Sequence, residues 1–506
     1  MIRQRRTLPL HPGNRRTRPS HTPGAVALVG GLLAGLAGLT GCSAATTEPD
    51  AAETSPQGGP SPQETRRIEG KPGAPGSTDS LLPDAGNGGY DALHYTLDLT
   101  VDPDAAKPLT GTATLRARAT QDLSRFNLDL SGLTVSRVTV DGRKAGHRHR
   151  GTELTVTPGR ALAKDREFEV VVRYGGDPES VPGAASGSDD GWLPTDDGAV
   201  VMGEPVGAMT WYPVNNTLRD PATYDVDLTV PRGLAGVSVG RYEGKEPAGD
   251  GRTTYRWRNT AQTVPYLMTV AVGKFTLDTS KTRDGVQIVN AVDPRQAEQA
   301  RSVLADIPEF LAWGEELFGP YPFDSAGAIV DHQPENHVAL ETLGRPVYGQ
   351  APDGIVMAHE YAHQWVGNSV TLADWSEIWL NEGLATYAMW MWDEENGGHT
   401  TQEWFDSVLA SPAEDPVWAF PPGKPGKPGR LFGKPVYFRG AMALHEVRQA
   451  VGDEDFFTLL KKWAAERAGK PSSIDDFVAL AERVSGKDLE KVFDVWLYQQ
   501  GKPAAG

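Results

Sequence analysis

The chain has 506 residues, of which 39% are hydrophobic and 23% are charged, and its formal net charge is −17 at pH 7. This length is too great for one hydrophobic core, so it predicts about three domains of ordinary globular composition. The acidic balance argues against nucleic acid or an anionic lipid surface as the partner. The only cysteine, Cys42, excludes an intramolecular disulfide.

Residues 1–41 have the pattern of a signal peptide. Arginines as far as Arg18 precede an apolar stretch that is too short for a comfortable membrane span and ends in "LTGC" at Cys42. This ending resembles the lipobox of bacterial lipoproteins, in which the cysteine becomes the lipidated first residue. The resemblance implies a protein anchored by lipid at Cys42, on the extracytoplasmic side of the cell membrane. The alternative is an ordinary signal peptide, or a short anchor, with a stray cysteine.

Two different textures follow the signal peptide. Residues 42–89 are rich in Pro, Gly, Ser, Thr and Glu and bury too little apolar surface to offset ordering, so they predict a disordered tether. Residues 90–281 contain repeated segments such as "HYTLDLTV" and "TYDVDLTVP", in which apolar and polar residues alternate between Gly, Pro and Asp. That period of two predicts an amino-terminal antiparallel β domain.

Residues 282–506 have mainly helical spacing. One helical pattern closes on Gly319, and "GAIVDH" then predicts a buried strand. The stretch from Met357 to Tyr387 is expected to supply two more helices, the first starting after Asp353-Gly354. Near the end, Ser472 or Ser473 is the expected N-cap of another helix. A β domain followed by a mainly helical one gives an α+β fold class.

The helical part contains a group of residues typical of a metal site. His359 and His363 are four apart in "HEYAH", so on a helix both side chains project from one face and can bind one Zn²⁺. Glu360 leans toward the same face and suits the role of general base. A catalytic zinc needs a third protein ligand, and Glu382 in "NEG" follows His363 after 382 − 363 − 1 = 18 residues.

The stretch "HEYAHQWVGNSV…W…IWLNEGLATY" resembles the zinc signature of the aminopeptidase N family, the gluzincins. Four further segments carry the same resemblance: "GEPVGAMTWYPVNNTLRDPATYDVDLTVP", "YLMTVAVGKF", "FGPYPF" and "WLYQQGKP". Together they extend it over most of residues 90–506. The resemblance implies a saddle-like β domain over residues 90–281 and a thermolysin-like zinc catalytic domain over residues 282–506.

The resemblance also implies roles for individual residues. His359, His363 and Glu382 correspond to the ligands of one zinc ion per chain. Glu360 corresponds to the general base and proton shuttle. Tyr437, in a Tyr-x-Arg-Gly segment, corresponds to the family tyrosine, and a fixed phenol beside the metal would stabilise the oxyanion that develops when a peptide carbonyl is attacked.

Recognition of a free α-amine distinguishes an aminopeptidase from an endopeptidase, because buried carboxylates must bind the ammonium beside the metal. The family places one acid in a Gly-x-Met-Glu-Asn segment, which here reads "VALET". Glu341 is retained, whereas Val338 and Thr342 depart from the pattern, and the backbone at Ala339 remains suited to pair with an extended substrate. Glu204, in "MGEP", corresponds to a second family acid.

The leading prediction is therefore a lipid-anchored zinc aminopeptidase that acts on peptides outside the cell membrane. One alternative is a zinc endopeptidase with the same metal chemistry. The other is a non-catalytic surface lipoprotein that binds peptides, against which the intact set of ligands, base and tyrosine argues. A structural zinc is disfavoured because such sites usually contain cysteine. The sequence leaves the oligomeric state and the side-chain preference open.

Overall fold

A computed structural model of the protein describes residues 69–183, 189–333 and 339–504. The predicted signal peptide over residues 1–41, Cys42 and the tether as far as residue 68 lie outside the described residues. Within the described ranges, every helix is too short or too polar to cross a lipid bilayer.

The amino-terminal part of the described chain consists almost entirely of β-strands. They are β1 (Lys71–Pro72), β2 (Tyr90–Val101), β3 (Leu109–Ala119), β4 (Leu123–Asp129), β5 (Thr134–Val140), β6 (Arg143–Lys144), β7 (Gly146–Arg150), β8 (Glu153–Thr157), β9 (Glu167–Gly176), β10 (Val181–Pro182), β11 (Asp189–Pro194), β12 (Ala199–Met202), β13 (Ala222–Pro231), β14 (Ala235–Ser238), β15 (Arg241–Gly249), β16 (Arg252–Thr263) and β17 (Val270–Gly273).

The largest sheet has eight strands in the order β15-β16-β13-β2-β3-β9-β5-β6. Its central strands bury alternate residues, as in β13, where buried and partly exposed positions alternate throughout. The sheet is antiparallel except where β2 pairs with β13, with Tyr95 opposite Tyr224. A parallel pair needs a long connection, and the strands between β2 and β13 supply it. The prediction of an antiparallel domain therefore holds apart from this pair and the parallel pairing of β1 with β4.

The remaining part of the chain is mainly helical. It contains strands β18 (Thr276–Lys281), β19 (Gln287–Val292), β20 (Ser325–Val330), β21 (Ala339–Leu340), β22 (Val347–Tyr348), β23 (Thr371–Leu372) and β24 (Pro471–Ser472). Its helices are α1 (Ala297–Ala305), α2 (Ile307–Phe318), α3 (Gly354–Ala362), α4 (Trp379–Glu395), α5 (Thr401–Leu409), α6 (Gly440–Val451), α7 (Asp453–Arg467), α8 (Ile474–Ser485) and α9 (Glu490–Phe493). The α+β fold class is confirmed.

A second sheet places the boundary between the β domain and the mainly helical part earlier in the chain than predicted. Its five strands run in the order β18-β19-β20-β22-β21, and β18 forms an antiparallel hairpin with β19. The predicted boundary between residues 281 and 282 therefore falls inside this hairpin. Sequence alone could not place β18, because a period of two looks the same whichever sheet the strand joins.

Residues 69–89 correct the predicted tether. Lys71 pairs with Leu123 across β1 and β4. Farther along, the carboxylate of Asp79 accepts a hydrogen bond of 2.8 Å from the backbone N–H of Trp375, in the turn before α4. Polar side chains and backbone groups hold this segment against the fold, a form of ordering that composition does not report. The prediction of a tether is wrong for these residues.

Local signals predicted the helix ends well. The carboxylate of Asp353 caps α3 by accepting from the N–H groups of Ile355 and Val356, and Gly319 ends α2 with φ +97°. Ser473, one of the two serines considered, caps α8 in a reciprocal capping box with Asp476. The expected buried strand is β20, whose six residues are all buried.

Candidate metal and peptide site

His359, His363 and Glu382 converge at one point, as their spacing predicted. These three residues form the metal group. His359 lies in the last turn of α3 and His363 directly follows that helix. Their Nε2 atoms are 3.1 Å apart. The Oε2 atom of Glu382, on α4, lies 3.3 Å from Nε2 of His359 and 3.5 Å from Nε2 of His363.

These distances fit a tetrahedral zinc ion. Ligand atoms at about 2.0–2.1 Å from zinc and at the tetrahedral angle lie about 3.3–3.4 Å from one another. Oε2 of Glu382 is buried and has no hydrogen-bond partner within the protein, so it is free to act as a ligand. Nδ1 of His363 is 3.1 Å from the backbone oxygen of Val366, which can only accept, so the proton sits on Nδ1 and the Nε2 lone pair faces the metal position.

Two glycines bring the phenol-bearing segment to the same place. Gly383, directly after Glu382, packs against Gly440, and a Cβ on Gly383 would lie 3.1 Å from the carbonyl carbon of Gly440. Tyr437 lies on the π-helical turn that precedes α6, Pro435–Arg439. Its ring stacks on that of His359 with centroids 6.1 Å apart, so the phenol stands beside the metal group.

The two predicted amine anchors also reach this point, although they come from distant parts of the chain. Glu204 follows β12 and Glu341 follows β21. One carboxylate oxygen each of Glu204, Glu341 and Glu382 lie within 4.8 Å of one another. Oε1 of Glu204 and Oε1 of Glu341 are buried without a hydrogen-bond partner in the protein. Unsatisfied carboxylate oxygens beside a metal group are suited to bind a cation.

The electrostatics of the pocket follow from burying several acids together. Burial raises the pKa of Glu360 well above its usual range, and burial together with the carboxylates of Glu341 and Glu382 does the same for Glu204. Burial alone would also raise the pKa of Glu382, but the imidazoles of His363 and His359 hold that pKa at about 2. The pocket therefore favours bound positive charge.

Ala339 and the lipidation residue complete the predicted set. Ala339 lies in β21, which pairs with β22 on one side and forms the edge of its sheet. An edge strand is the element to which an extended peptide adds. Cys42 lies outside the described residues, so its predicted lipidation stays a prediction.

Three further side chains border the site and were not selected from the sequence. The hydroxyl of Tyr266 lies beside the Glu341 and Glu204 carboxylates and is buried. Gln364 and Asn368, just after His363, are buried and donate to the backbone oxygen of Glu341. Gln364 and Asn368 are four residues apart and directly follow the His-Glu-x-x-His segment. This spacing could have indicated their role, because it places both side chains on one side of a helix end.

A comparison with protein-family models matches residues 351–496 to the peptidase family M1 domain. This range contains the metal group, Glu360 and Tyr437. Curated relatives and solved structures of the same family match the chain over a longer span. The part of the chain that holds these residues is therefore similar to the M1 peptidase domain. The resemblance to the aminopeptidase N family is thereby confirmed, and with it the assignment to a family of zinc metallopeptidase hydrolases.

Two curated relatives illustrate the extent of the likeness. Probable aminopeptidase 1 of Sulfurisphaera tokodaii is 24% identical over 423 residues, which are 76% of this chain and 50% of the relative. Aminopeptidase N of Haemophilus influenzae is 26% identical over 280 residues, which are 50% of this chain and 32% of the relative. The chain thus spans half or less of the length of these relatives.

The solved M1 structures match nearly end to end. A mutant of the M1 zinc metallopeptidase of Deinococcus radiodurans, bound to the substrate Tyr-Ser-Ala, has a TM-score of 0.76 and 29% identity, and the match covers 85% of this chain and 98% of that one. A two-domain M1 zinc metallopeptidase mutant bound to L-tryptophan matches with the same TM-score, identity and coverage. The likeness to these structures agrees with the β-rich part followed by a mainly helical part that the described residues of this chain show.

Proposed function

We propose that this protein is a zinc aminopeptidase that removes amino-terminal residues from peptides. The observation that carries the proposal is the placement of Glu204 and Glu341 within 4.8 Å of the metal-facing carboxylate of Glu382. An endopeptidase has no need of two further buried acids at the metal, whereas an aminopeptidase requires them to bind the ammonium group of its substrate.

One zinc ion per chain, held by His359, His363 and Glu382, would polarise the scissile carbonyl and acidify a water. Glu360 takes the proton of the attacking water and passes it to the leaving amine, a role for which its place on α3 between the two histidine ligands suits it. The phenol of Tyr437 donates a hydrogen bond to the developing oxyanion.

The substrate is held by its charge and by its backbone. Glu204 and Glu341 accept hydrogen bonds from the α-ammonium, which sets the first peptide bond at the metal. The edge of β21 at Ala339 pairs with the extended backbone that follows. The two peptide- or amino-acid-bound M1 neighbours support peptides as the ligand class.

A pair of matched peptides tests this proposal. Purified, zinc-loaded protein is given a short peptide with a free amino terminus and its N-acetylated twin, and the products are identified by mass spectrometry. We expect stepwise loss of single residues from the free peptide only. Internal cleavage of both peptides would overturn the proposal in favour of an endopeptidase, and zinc binding without any turnover would favour a peptide-binding lipoprotein.

The same proposal places the enzyme on the extracytoplasmic face of the cell membrane, anchored by lipid at Cys42. Its support is the arginine-rich and apolar start of the sequence, which ends in "LTGC". Metabolic labelling with a clickable fatty acid tests it. We expect label on the natural protein and none on the Cys42→Ser variant, whereas equal labelling of both would refute the assignment.

A further inference from the structure

Two buried amides lie directly behind the metal group and contact the strand-end that carries Glu341. Gln364 and Asn368 are 0% and 1% exposed. Nδ2 of Asn368 donates to the backbone oxygen of Glu341 at 2.7 Å, and Nε2 of Gln364 donates to the same oxygen at 3.2 Å. Nδ2 of Asn368 also lies 3.0 Å from Oε1 of Gln364, which fixes the two amides against each other.

The same pair holds the other end of the turn that follows Glu341. Oε1 of Gln364 accepts a hydrogen bond of 2.7 Å from the backbone N–H of Gly344. Gly344 has φ +68°, and a Cβ there would lie 2.6 Å from the backbone oxygen of Ser325, so the position requires glycine. One amide side chain thus satisfies a carbonyl and an N–H of a single turn at once, which neither an apolar nor a carboxylate side chain can do.

The far side of this turn is anchored to the β domain and to β19. Arg345 is fully buried and donates to the backbone oxygens of Ser238, Gly240 and Val289. Within the turn, the hydroxyl of Thr342 donates a hydrogen bond of 2.6 Å to the backbone oxygen of Arg345. The turn at residues 341–345 is therefore held from two sides, by Arg345 on one side and by the amides of Gln364 and Asn368 on the other.

The amide pair is rigidly linked to the metal ligands. Gln364 is the neighbour of His363, and its Nε2 also lies 3.2 Å from the backbone oxygen of Glu360. One short, buried hydrogen-bonded unit consequently connects the backbone of Glu341 to the segment that carries the metal ligands. In an exopeptidase the distance from the metal to the ammonium-binding carboxylate decides whether the first peptide bond lies at the metal when the ammonium is bound.

We propose that Gln364 and Asn368 are positioning residues that fix the depth of the Glu341 carboxylate and so determine the affinity for a free amino terminus. This inference rests on the proposed aminopeptidase function. The amides touch neither the metal position nor the substrate; they act through the backbone of Glu341. Partners of this kind at metal sites typically change affinity or activity by about 10–100-fold when they are removed.

The test uses neutral isosteres, Gln364→Met and Asn368→Leu, in the full zinc-loaded protein. Hydrogen–deuterium exchange of residues 339–345 reports whether the amides of Gln364 and Asn368 hold the turn in place, an arrangement we call the clamp. The KM and kcat for a free-amine peptide report its function. Asn259→Leu is the matched control, because Asn259 is also buried but donates to Thr263 within the β domain. If Asn368→Leu fails to accumulate, the smaller Asn368→Ser replaces it.

We expect at least tenfold faster exchange in residues 339–345, an increase of about 10–100-fold in KM with zinc content unchanged, and neither effect in the control. A merely structural role would lower the active fraction, and so the apparent kcat, without moving KM. If exchange in residues 339–345 is unchanged in both variants, the amides do not hold the turn. If exchange is faster but KM is unchanged, the amides hold the turn without positioning Glu341 for the substrate. If the natural enzyme cleaves free and acetylated peptides equally, the proposed function fails instead, and the exchange measurement alone decides on the clamp.

Discussion

Replacing Glu204 with glutamine should make the protein more stable while weakening its activity. The change keeps the shape of the side chain and removes one of three carboxylates whose oxygens lie within 4.8 Å of one another. Two full charges at that distance repel by about 3.5 kcal/mol at an effective dielectric constant of 20. Burial and the carboxylates of Glu341 and Glu382 raise the pKa of Glu204, so the pocket disfavours the charged form that the substitution removes.

We therefore expect Glu204→Gln to raise the free energy of unfolding by about 1–2 kcal/mol, or the melting temperature by a few degrees. The gain should be larger in zinc-free protein, where no metal charge offsets the acids. The amide loses its charge-assisted hydrogen bond to the substrate ammonium, worth about 1.5–3 kcal/mol. That loss corresponds to a fall of about 10–150-fold in kcat/KM for free-amine peptides.

Differential scanning calorimetry with and without zinc, combined with steady-state kinetics, measures both effects. Glu298→Gln, an exposed glutamate on α1, is the matched control and should change neither quantity appreciably. A Glu204→Gln protein that melts at a lower temperature and still processes free-amine peptides at the natural rate would contradict both expectations. That outcome would mean that Glu204 serves the fold and not the substrate.

Three further changes separate the roles within the enzyme. Glu360→Gln should lower kcat by about 10²–10⁴-fold while zinc content stays the same, and near-natural turnover would remove Glu360 as the general base. Tyr437→Phe should lower kcat by about 10²–10³-fold with little change in KM, and a rise in KM alone would show that the phenol binds substrate instead. Burial lowers the pKa of His445 from 6.5 to about 4, so its contribution to stability is present above pH 6.5 and is lost as the pH falls through 4. Urea unfolding measures this. As the pH falls across this range, the free energy of unfolding of the natural protein should decrease by up to about 3 kcal/mol more than that of His445→Gln, and equal decreases in the two proteins would contradict the expectation.

Much of the metal group could be predicted because its geometry is local. Residues four apart on a helix share a face whatever surrounds the helix, so the spacing of His359 and His363 already implied a common ligand position. The N-cap Ser473 acts on a backbone group three residues away, so one of the two predicted serines was correct, and the start of α3 was predicted to within one residue. The period of two in the first half likewise predicted strands without any knowledge of their partners.

Contacts between segments that are distant in the chain could not be predicted from the sequence in this way. Composition suggested that residues 69–89 are a tether, but Asp79 bonds to Trp375, and no local pattern reports so distant a partner. The same limit applied to β18, whose alternation would suit either sheet. It applied also to Gln364 and Asn368, whose amides have meaning only beside the carbonyl of Glu341.

The sequence by itself determined the chemistry available to this protein: two imidazoles, a base and a third ligand at helical and inter-helical spacing, with a phenol farther on. Only the tertiary structure brought Glu204 and Glu341 to within 4.8 Å of Glu382. Such a placement depends on how a β domain, a short edge strand and two helices pack, and packing is a property of the whole fold. For that reason the metal site could be predicted from a motif, whereas the proposed binding of a free amino terminus depends on the three-dimensional arrangement.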